Sequence, residues 1–365
     1  MSDTFHIFFS LESVSEDYGG PIRSLYRLQD MLQNADFDVS IVQTSLAPSL
    51  CNPCQEFSRA ITFWRGLTEI IVRIVSGKKS LVIFNNQWSF SVQLFAAFCF
   101  LSRVPYIWWI RGVPSYEGSW KKWIVWNCVQ KWLLGRSRTI VGSSSRSIDR
   151  IKSLLPRITS ELIDVPNVIE HVEADTELKK TTKASWDKTT LNLLTIGRFH
   201  KSKRLLELVE NCPVEVNGLN VRLTIAGYAS SHDYVDSITM LARKKKLNAV
   251  IVTNASAERL SRLQHGADIF VALSKTENFG NAIGDALASG LPVVINDETD
   301  FWPTLDCPGV FLASDNQFSM SLSSAVDYCR SRSRYERQMS FEIYWRDFSL
   351  RKYQKFINIC NSFKD

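Results

Sequence analysis

Short apolar runs separated by amphipathic stretches recur along this chain in two sets, a pattern that restricts it to parallel strands joined by crossover helices. The first set is Phe5 to Ser10, Val39 to Thr44, Leu81 to Asn85, Tyr106 to Ile110 and Thr139 to Val141, enough for one Rossmann-like sheet. A polar, lysine-rich passage from Glu173 to Thr190 interrupts the pattern and reads as a linker. It restarts with Leu191 to Ile196, Val221 to Ala226, Val250 to Val252, Ile269 to Ala272 and Pro292 to Ile295. The expected fold is α/β: two facing Rossmann-like domains with an interdomain cleft, over residues 1–175 and 190–345. Apolar residues at helical spacing near the end predict a helix over 346–365 that packs back on the first domain. A length of 365 residues suits this division, because single cores stop growing at about 250–300 residues.

Charge is distributed unevenly. Residues 59–157 hold 16 basic and 3 acidic side chains, whereas the segments before and after are net acidic or near neutral. The same stretch holds eight of the 11 tryptophans, including Trp64, Trp88, Trp120, Trp123, Trp126 and Trp132. Tryptophan prefers the headgroup boundary, and Lys or Arg near anionic lipid is worth about 1 kcal/mol each, so peripheral contact with a membrane surface is expected. Trp108 and Trp109, inside an apolar strand, read as core. No nucleic-acid module is recognisable, and nucleic acid is not expected as a partner. The run from Trp88 to Ile110 is broken by Gln93, Ser102, Arg103 and Pro105, so it predicts a helix, a turn and a strand rather than a membrane span. The first residues show no basic region before an apolar one, which predicts a cytoplasmic protein with reduced thiols. Cys51 and Cys54 form one CxxC with no second pair at a useful spacing, so no metal is expected.

Two elements carry candidate chemistry. Gly197-Arg198, followed by Lys203 and Arg204, ends a strand in a basic loop that opens a helix, an arrangement suited to an anion. The string from Ser274 to Val293 places Glu277, Asn278, Phe279 and Gly280 in a loop ahead of a helix of small residues, Ala282, Gly284, Ala286 and Ser289. Gly290 stops that helix and Pro292 starts the next strand. Glu277 and Asp285 lie two helical turns apart, so both acids share a face if the helix begins early.

These residues resemble the GT-B glycosyltransferases, in particular the retaining group known as family four (glycosyl transferases group 1). That group has a Gly-Arg followed by a Lys, then Ser-x-x-Glu-Gly-Phe-Gly, a second acid eight residues after the first, and Ala-x-Gly-x-Pro-Val. Here the matching positions are Gly197, Arg198 and Lys203, then Ser274, Glu277, Phe279, Gly280, Asp285, Ala288, Gly290, Pro292 and Val293. Gly19-Gly20 resembles the family's glycine loop, and Val165-Pro166-Asn167-Val168 its Pro-Asn-Gly-Val segment, so the likeness extends over nearly the whole chain.

The resemblance implies a metal-independent, hexosyltransferase-like enzyme without a cofactor. It would move a sugar from a nucleotide-sugar to a hydroxyl of a glycan, with retention of configuration. A lipid-linked surface polysaccharide or lipopolysaccharide fits as the acceptor. The first domain would bind the acceptor and the second the donor. Arg198 and Lys203 would hold the donor diphosphate, Glu277 the sugar hydroxyls, and Asp285 the ribose. Gly197 and Asn278 belong to the donor loops, and the amides of Phe279 and Gly280 would help hold phosphate or sugar. Gly19 and Gly20 would let backbone come close to donor or acceptor. Three positions depart from the pattern: Asp285 stands for Glu, Arg204 for Gly, and Arg111 occurs where many members have a histidine. Arg111 would contact an anionic or phosphate-bearing acceptor, or form a structural salt bridge. The alternative readings are a nucleotide-sugar epimerase and a catalytically silent partner of an active transferase.

Overall fold

The computed structural model describes residues 5–11, 19–44, 60–85, 89–111, 120–169, 188–229, 232–314 and 316–364. Cys51, Cys54, Trp88 and most of the lysine-rich passage lie outside the described residues. The chain divides into two units, Met1–Val168 with Ser349–Asp365, and Ile169–Phe348.

In the first unit, β1 (His6–Leu11), β2 (Asp38–Gln43), β3 (Ala60–Thr62), β4 (Ser80–Phe84), β5 (Tyr106–Ile110), β6 (Thr139–Gly142) and β7 (Glu161–Asp164) form one sheet. Its order is β3-β2-β1-β4-β5-β6-β7, with every neighbouring pair parallel. The strands are apolar almost throughout because both faces are covered. Alternation assigns adjacent residues to opposite faces. Phe8, Val82, Phe84 and Trp108 face one helical layer, while Ile7, Phe9, Leu81, Ile83 and Trp109 face the other. The latter core is completed by the helix Gly19–Gln33, through Ile22, Leu25, Leu28 and Leu32, and by Phe356, Cys360 and Phe363.

The second unit has β8 (Thr190–Ile196), β9 (Glu215–Val216), β10 (Leu219–Gly227), β11 (Asn248–Thr253), β12 (Ile269–Ala272), β13 (Val293–Asn296) and β14 (Val310–Ala313). The path is β11-β10-β8-β12-β13-β14, and β9 pairs antiparallel with β10. The chain therefore builds outward from β8 in one direction, then crosses to the opposite side of β8 with β12. That reversal is a topological switch point, where open α/β sheets leave a crevice at the strands' carboxyl ends.

All ten expected strands form. β3, β7, β9 and β14 were not expected; they are two to four residues long and sit at or beyond the sheet margins. Gly19 and Gly20 are not in a loop: they open the helix Gly19–Gln33, where Pro21 is tolerated because first-turn amides lack helical partners. The final helix is longer than its apolar spacing suggested, running Arg334–Asn361. Phe341 and Trp345 belong to the core of the second unit and Phe356 and Cys360 to that of the first, so no continuous apolar stripe marks the helix as one element. Among the described residues no helix is long and apolar enough to cross a membrane.

Candidate active site

The loops after β8 and β12 are neighbours because their strands pair directly, Ile269 with Leu193 and Phe270 with Leu194. They carry the expected donor residues of the second unit. After β8, Gly197 and Arg198 lead to a single 3-10 turn, Lys201–Lys203, and Arg204 then takes a left-handed conformation (φ 51°, ψ 41°) before the helix Leu205–Asn211. Lys203 is thus on the turn ahead of the helix. His200 accepts the Ser202 amide at 3.2 Å and so fixes the turn's entry.

Lys203 Nζ donates to Glu277 Oε2, joining the two loops across the switch point. Both side chains are about three-quarters buried (25% and 22% exposed). Arg198 is exposed, and its side chain has no hydrogen bond or ion pair among the described residues. Gly197 keeps its place near Lys203: a β-carbon there would lie 3.6 Å from Lys203 Cδ and Cε.

The expected shared helical face of Glu277 and Asp285 does not occur, because the helix starts at Asn281. Gly280 is its N-cap with φ 73°, a left-handed turn that places Glu277 in the preceding loop and Asp285 in the helix body. A β-carbon on Gly280 would meet Ile283 Cδ1 at 2.6 Å and Glu277 Cγ at 3.0 Å, so glycine also makes room for the acid. Asn278 and Asp285 are half-buried. The Phe279 ring is buried against Phe301, Trp302 and Trp345, with centroids at 4.7, 5.4 and 6.0 Å, and acts as an anchor for the loop. Gly284 is small for a packing reason, since Ile169 and Trp302 lie within 3.3 Å of its missing β-carbon.

Two supports escaped the sequence reading. The segment after β13 braces the acidic loop: buried Trp302 Nε1 donates to the Phe279 carbonyl, and the Asp300 amide donates to the Glu277 carbonyl at 2.9 Å. Only a tryptophan fourteen residues beyond the small-residue helix hinted at this. On the other side, β10 ends against the Gly197 loop. Gly197 N donates to Ala226 O at 3.0 Å and Phe199 N to Tyr228 O at 2.8 Å. Gly227 allows the approach, since a β-carbon would fall 1.8 Å from Gly197 O. The clash is backbone against backbone, with no rotamer to relieve it. Gly227→Ala should therefore destabilise the second unit by about 3 kcal/mol, read as a lower denaturant midpoint. An unchanged midpoint would show that this close approach is not obligatory.

In the first unit the carboxyl ends of the strands hold a separate polar cluster. Arg111, directly after β5, donates from Nε to Asn85 Oδ1 at 3.2 Å and from Nη1 to Asn167 Oδ1 at 3.2 Å and to Ser24 Oγ. Asn85 is itself tied to Ser10 at the end of β1, and Tyr353 donates to the Asn167 carbonyl at 3.0 Å. Of the two readings of Arg111, the structural salt bridge is not formed among the described residues, where the guanidinium has three neutral oxygen acceptors and no carboxylate. Its Nη2 is buried without a partner among the described residues. Burial pulls the guanidinium down to about 10, so it remains a cation at neutral pH. Gly19 and Gly20 lie in this unit, in the same helix as Ser24. Among the described residues no group of three or more His, Cys, Asp or Glu is placed to hold a metal ion.

Residues 177–336 match the family model described as glycosyl transferases group 1. An uncharacterised glycosyltransferase of Methanocaldococcus jannaschii is 30% identical over 105 residues, 28% of this chain and 26% of that one, so the match spans about a quarter of the relative's length. Anabaena HepE, solved in complex with UDP, superposes with a TM-score of 0.63 at 16% identity, covering 98% of this chain and 100% of its own. The lipopolysaccharide outer core galactosyltransferase WaaB gives 0.65 at 12% identity, covering 93% and 95%.

Proposed function

Since the chain carries a glycosyl transferases group 1 domain on the two-sheet GT-B fold, we propose that it transfers a sugar from a nucleotide-sugar to a hydroxyl of a glycan acceptor. The observation that carries this reading is the ion pair between Lys203 and Glu277 at the switch point of the second sheet, on loops of which the first also carries Arg198. When the glycosidic bond breaks, negative charge grows on the leaving diphosphate. Cations already fixed there stabilise that charge more than they stabilise the intact donor, and this difference accelerates transfer. Arg198 and Lys203 supply the cations. Glu277 orients the sugar through its hydroxyls, Gly197, Asn278, Phe279 and Gly280 shape the donor loops, and Asp285 meets the ribose. The chemistry assigned to these cations needs no metal and no cofactor.

The family likeness supports retention of configuration. HepE was solved with UDP, which supports a nucleotide donor, and the resemblance to WaaB supports a lipopolysaccharide or other lipid-linked glycan as acceptor, met at a membrane's cytoplasmic face. Gly19 and Gly20 are assigned to backbone contact with donor or acceptor, and Arg111 to an anionic group of the acceptor. Arg111→Met should raise the acceptor KM at least tenfold and leave nucleotide affinity unchanged, while equal losses in both would reduce Arg111 to a structural tie. The donor reading is tested by thermal shift against UDP, GDP, ADP and CMP. One nucleoside diphosphate should stabilise the wild type and not the Arg198→Ala/Lys203→Ala double variant; no response to any of the four would overturn it.

A further inference from the structure

We propose that the first unit docks on an anionic lipid surface through the helical layer covering one face of its sheet. The helices Phe63–Val75 and Phe90–Leu101, the helical run 120–134 and the helix Ser145–Leu154 all contribute to one core cluster with Phe8, Val82, Phe84 and Trp108, so they lie on the same face. Neighbours touch one another. Phe63 meets Phe95 edge-on at 5.7 Å, Phe100 meets Trp132 at 4.6 Å, and buried Gln93 donates to Gln130 at 2.9 Å.

The inner side of this layer is ordinary core, but its outer side is also apolar. Of the twenty exposed large hydrophobic side chains among the described residues, thirteen lie on the first three of these helical segments. Val75 is 82% exposed, Leu101 79%, Phe90 71%, Trp120 70% and Trp64 66%. Such residues are usually scattered singly on a protein surface, and a concentration of this kind marks an interaction face.

Charge decides the occupant. The four helical segments of this layer carry eight Lys or Arg and two acids, and both acids are already paired, Glu69 with Arg65 at 3.1 Å and Asp149 with Lys152 at 3.4 Å. The Arg136 guanidinium lies 4.7 Å from the centroid of the exposed Trp132 ring, so cation and indole stand together as they do at a headgroup boundary. A second copy of the chain would oppose this positive face with another positive face, whereas anionic headgroups complement it and accept the apolar side chains beneath them. The inference deepens the reading of a lipid-linked acceptor, but docking is measured with neither donor nor acceptor, so one can fail without the other.

The test is co-flotation of the full chain with vesicles of phosphatidylcholine alone and of phosphatidylcholine with about 30 mol% phosphatidylglycerol. The chain should bind the anionic vesicles, release as salt rises, and lose at least tenfold in partitioning in the Trp120→Ser/Trp123→Ser variant at an unchanged thermal midpoint. Val75→Ser/Leu101→Ser is the substitute if that variant does not fold. Absence of vesicle binding, or binding that both variants leave intact, would overturn the proposal. So would a concentration-dependent dimer in light scattering that the variants abolish, since that result assigns the face to a second copy.

Discussion

Replacing Arg198 or Lys203 by alanine should lower sugar transfer about 10²–10³-fold, the usual cost of removing one preorganised donor of charge stabilisation, and should leave the second unit folded. The sizes of the two effects separate a catalytic from a structural role. Arg198 is exposed with no side-chain partner among the described residues, so its loss removes no native contact. Lys203 does form an ion pair with Glu277, and both side chains are about three-quarters buried, so its loss leaves a partly buried acid unpaired and costs more than an exposed pair, which is worth about 0–1 kcal/mol. A purely structural role predicts that lowered denaturant midpoint for Lys203→Ala with normal turnover by both variants. The catalytic role predicts a rate loss equivalent to about 3–4 kcal/mol for either variant, including Arg198→Ala at a nearly unchanged midpoint. Turnover and denaturant melts on the same preparations distinguish the two.

Glu277→Ala should abolish measurable transfer while nucleotide binding persists. In the structure Lys203 is held by Glu277, so truncating the acid releases the ammonium towards any diphosphate nearby. Nucleoside diphosphate affinity should stay level or rise, because a cation that was shared becomes fully available. The sugar, in contrast, loses the group proposed to orient it, and misplacement of a reacting centre by about 1 Å is enough to cost 10²-fold. Glu277→Gln keeps a hydrogen-bonding side chain and should recover part of the rate. The measurement is paired: calorimetric nucleotide binding and product formation for wild type, Ala and Gln variants. Loss of nucleotide binding in the Ala variant would instead make Glu277 a brace for Lys203.

The strands of both sheets were legible because parallel strands buried on two faces are continuous apolar runs, as in Tyr106–Ile110. Their edge partners were not: Glu161–Asp164 has polar residues at both ends and only two apolar residues between them. The basic loop and the Glu277 loop were legible as separate motifs, but their joining depends on β12 returning beside β8, which no local spacing encodes. Gly227 and Trp302 were missed for the same reason. Each acts on a residue distant in sequence, through a clash avoided at Gly197 and a bond to Phe279. Helical register misled in one place, since Gly280 takes a positive φ and delays the helix past Glu277. Tryptophan count was equally ambiguous. Trp108, Trp109 and Trp126 are buried whereas Trp64, Trp120, Trp123 and Trp132 are exposed, a distinction that depends on which helix face meets the sheet.

The most direct measurement is release of nucleoside diphosphate from a labelled nucleotide-sugar, followed with and without a glycolipid acceptor extract, for the wild type and for the Arg198→Ala/Lys203→Ala variant. The account predicts acceptor-dependent release by the wild type, one sugar appearing on the acceptor for each diphosphate freed, and almost none by the variant. Release by the folded double variant at the wild-type rate would contradict it, as would a sugar altered on its nucleotide with no acceptor present.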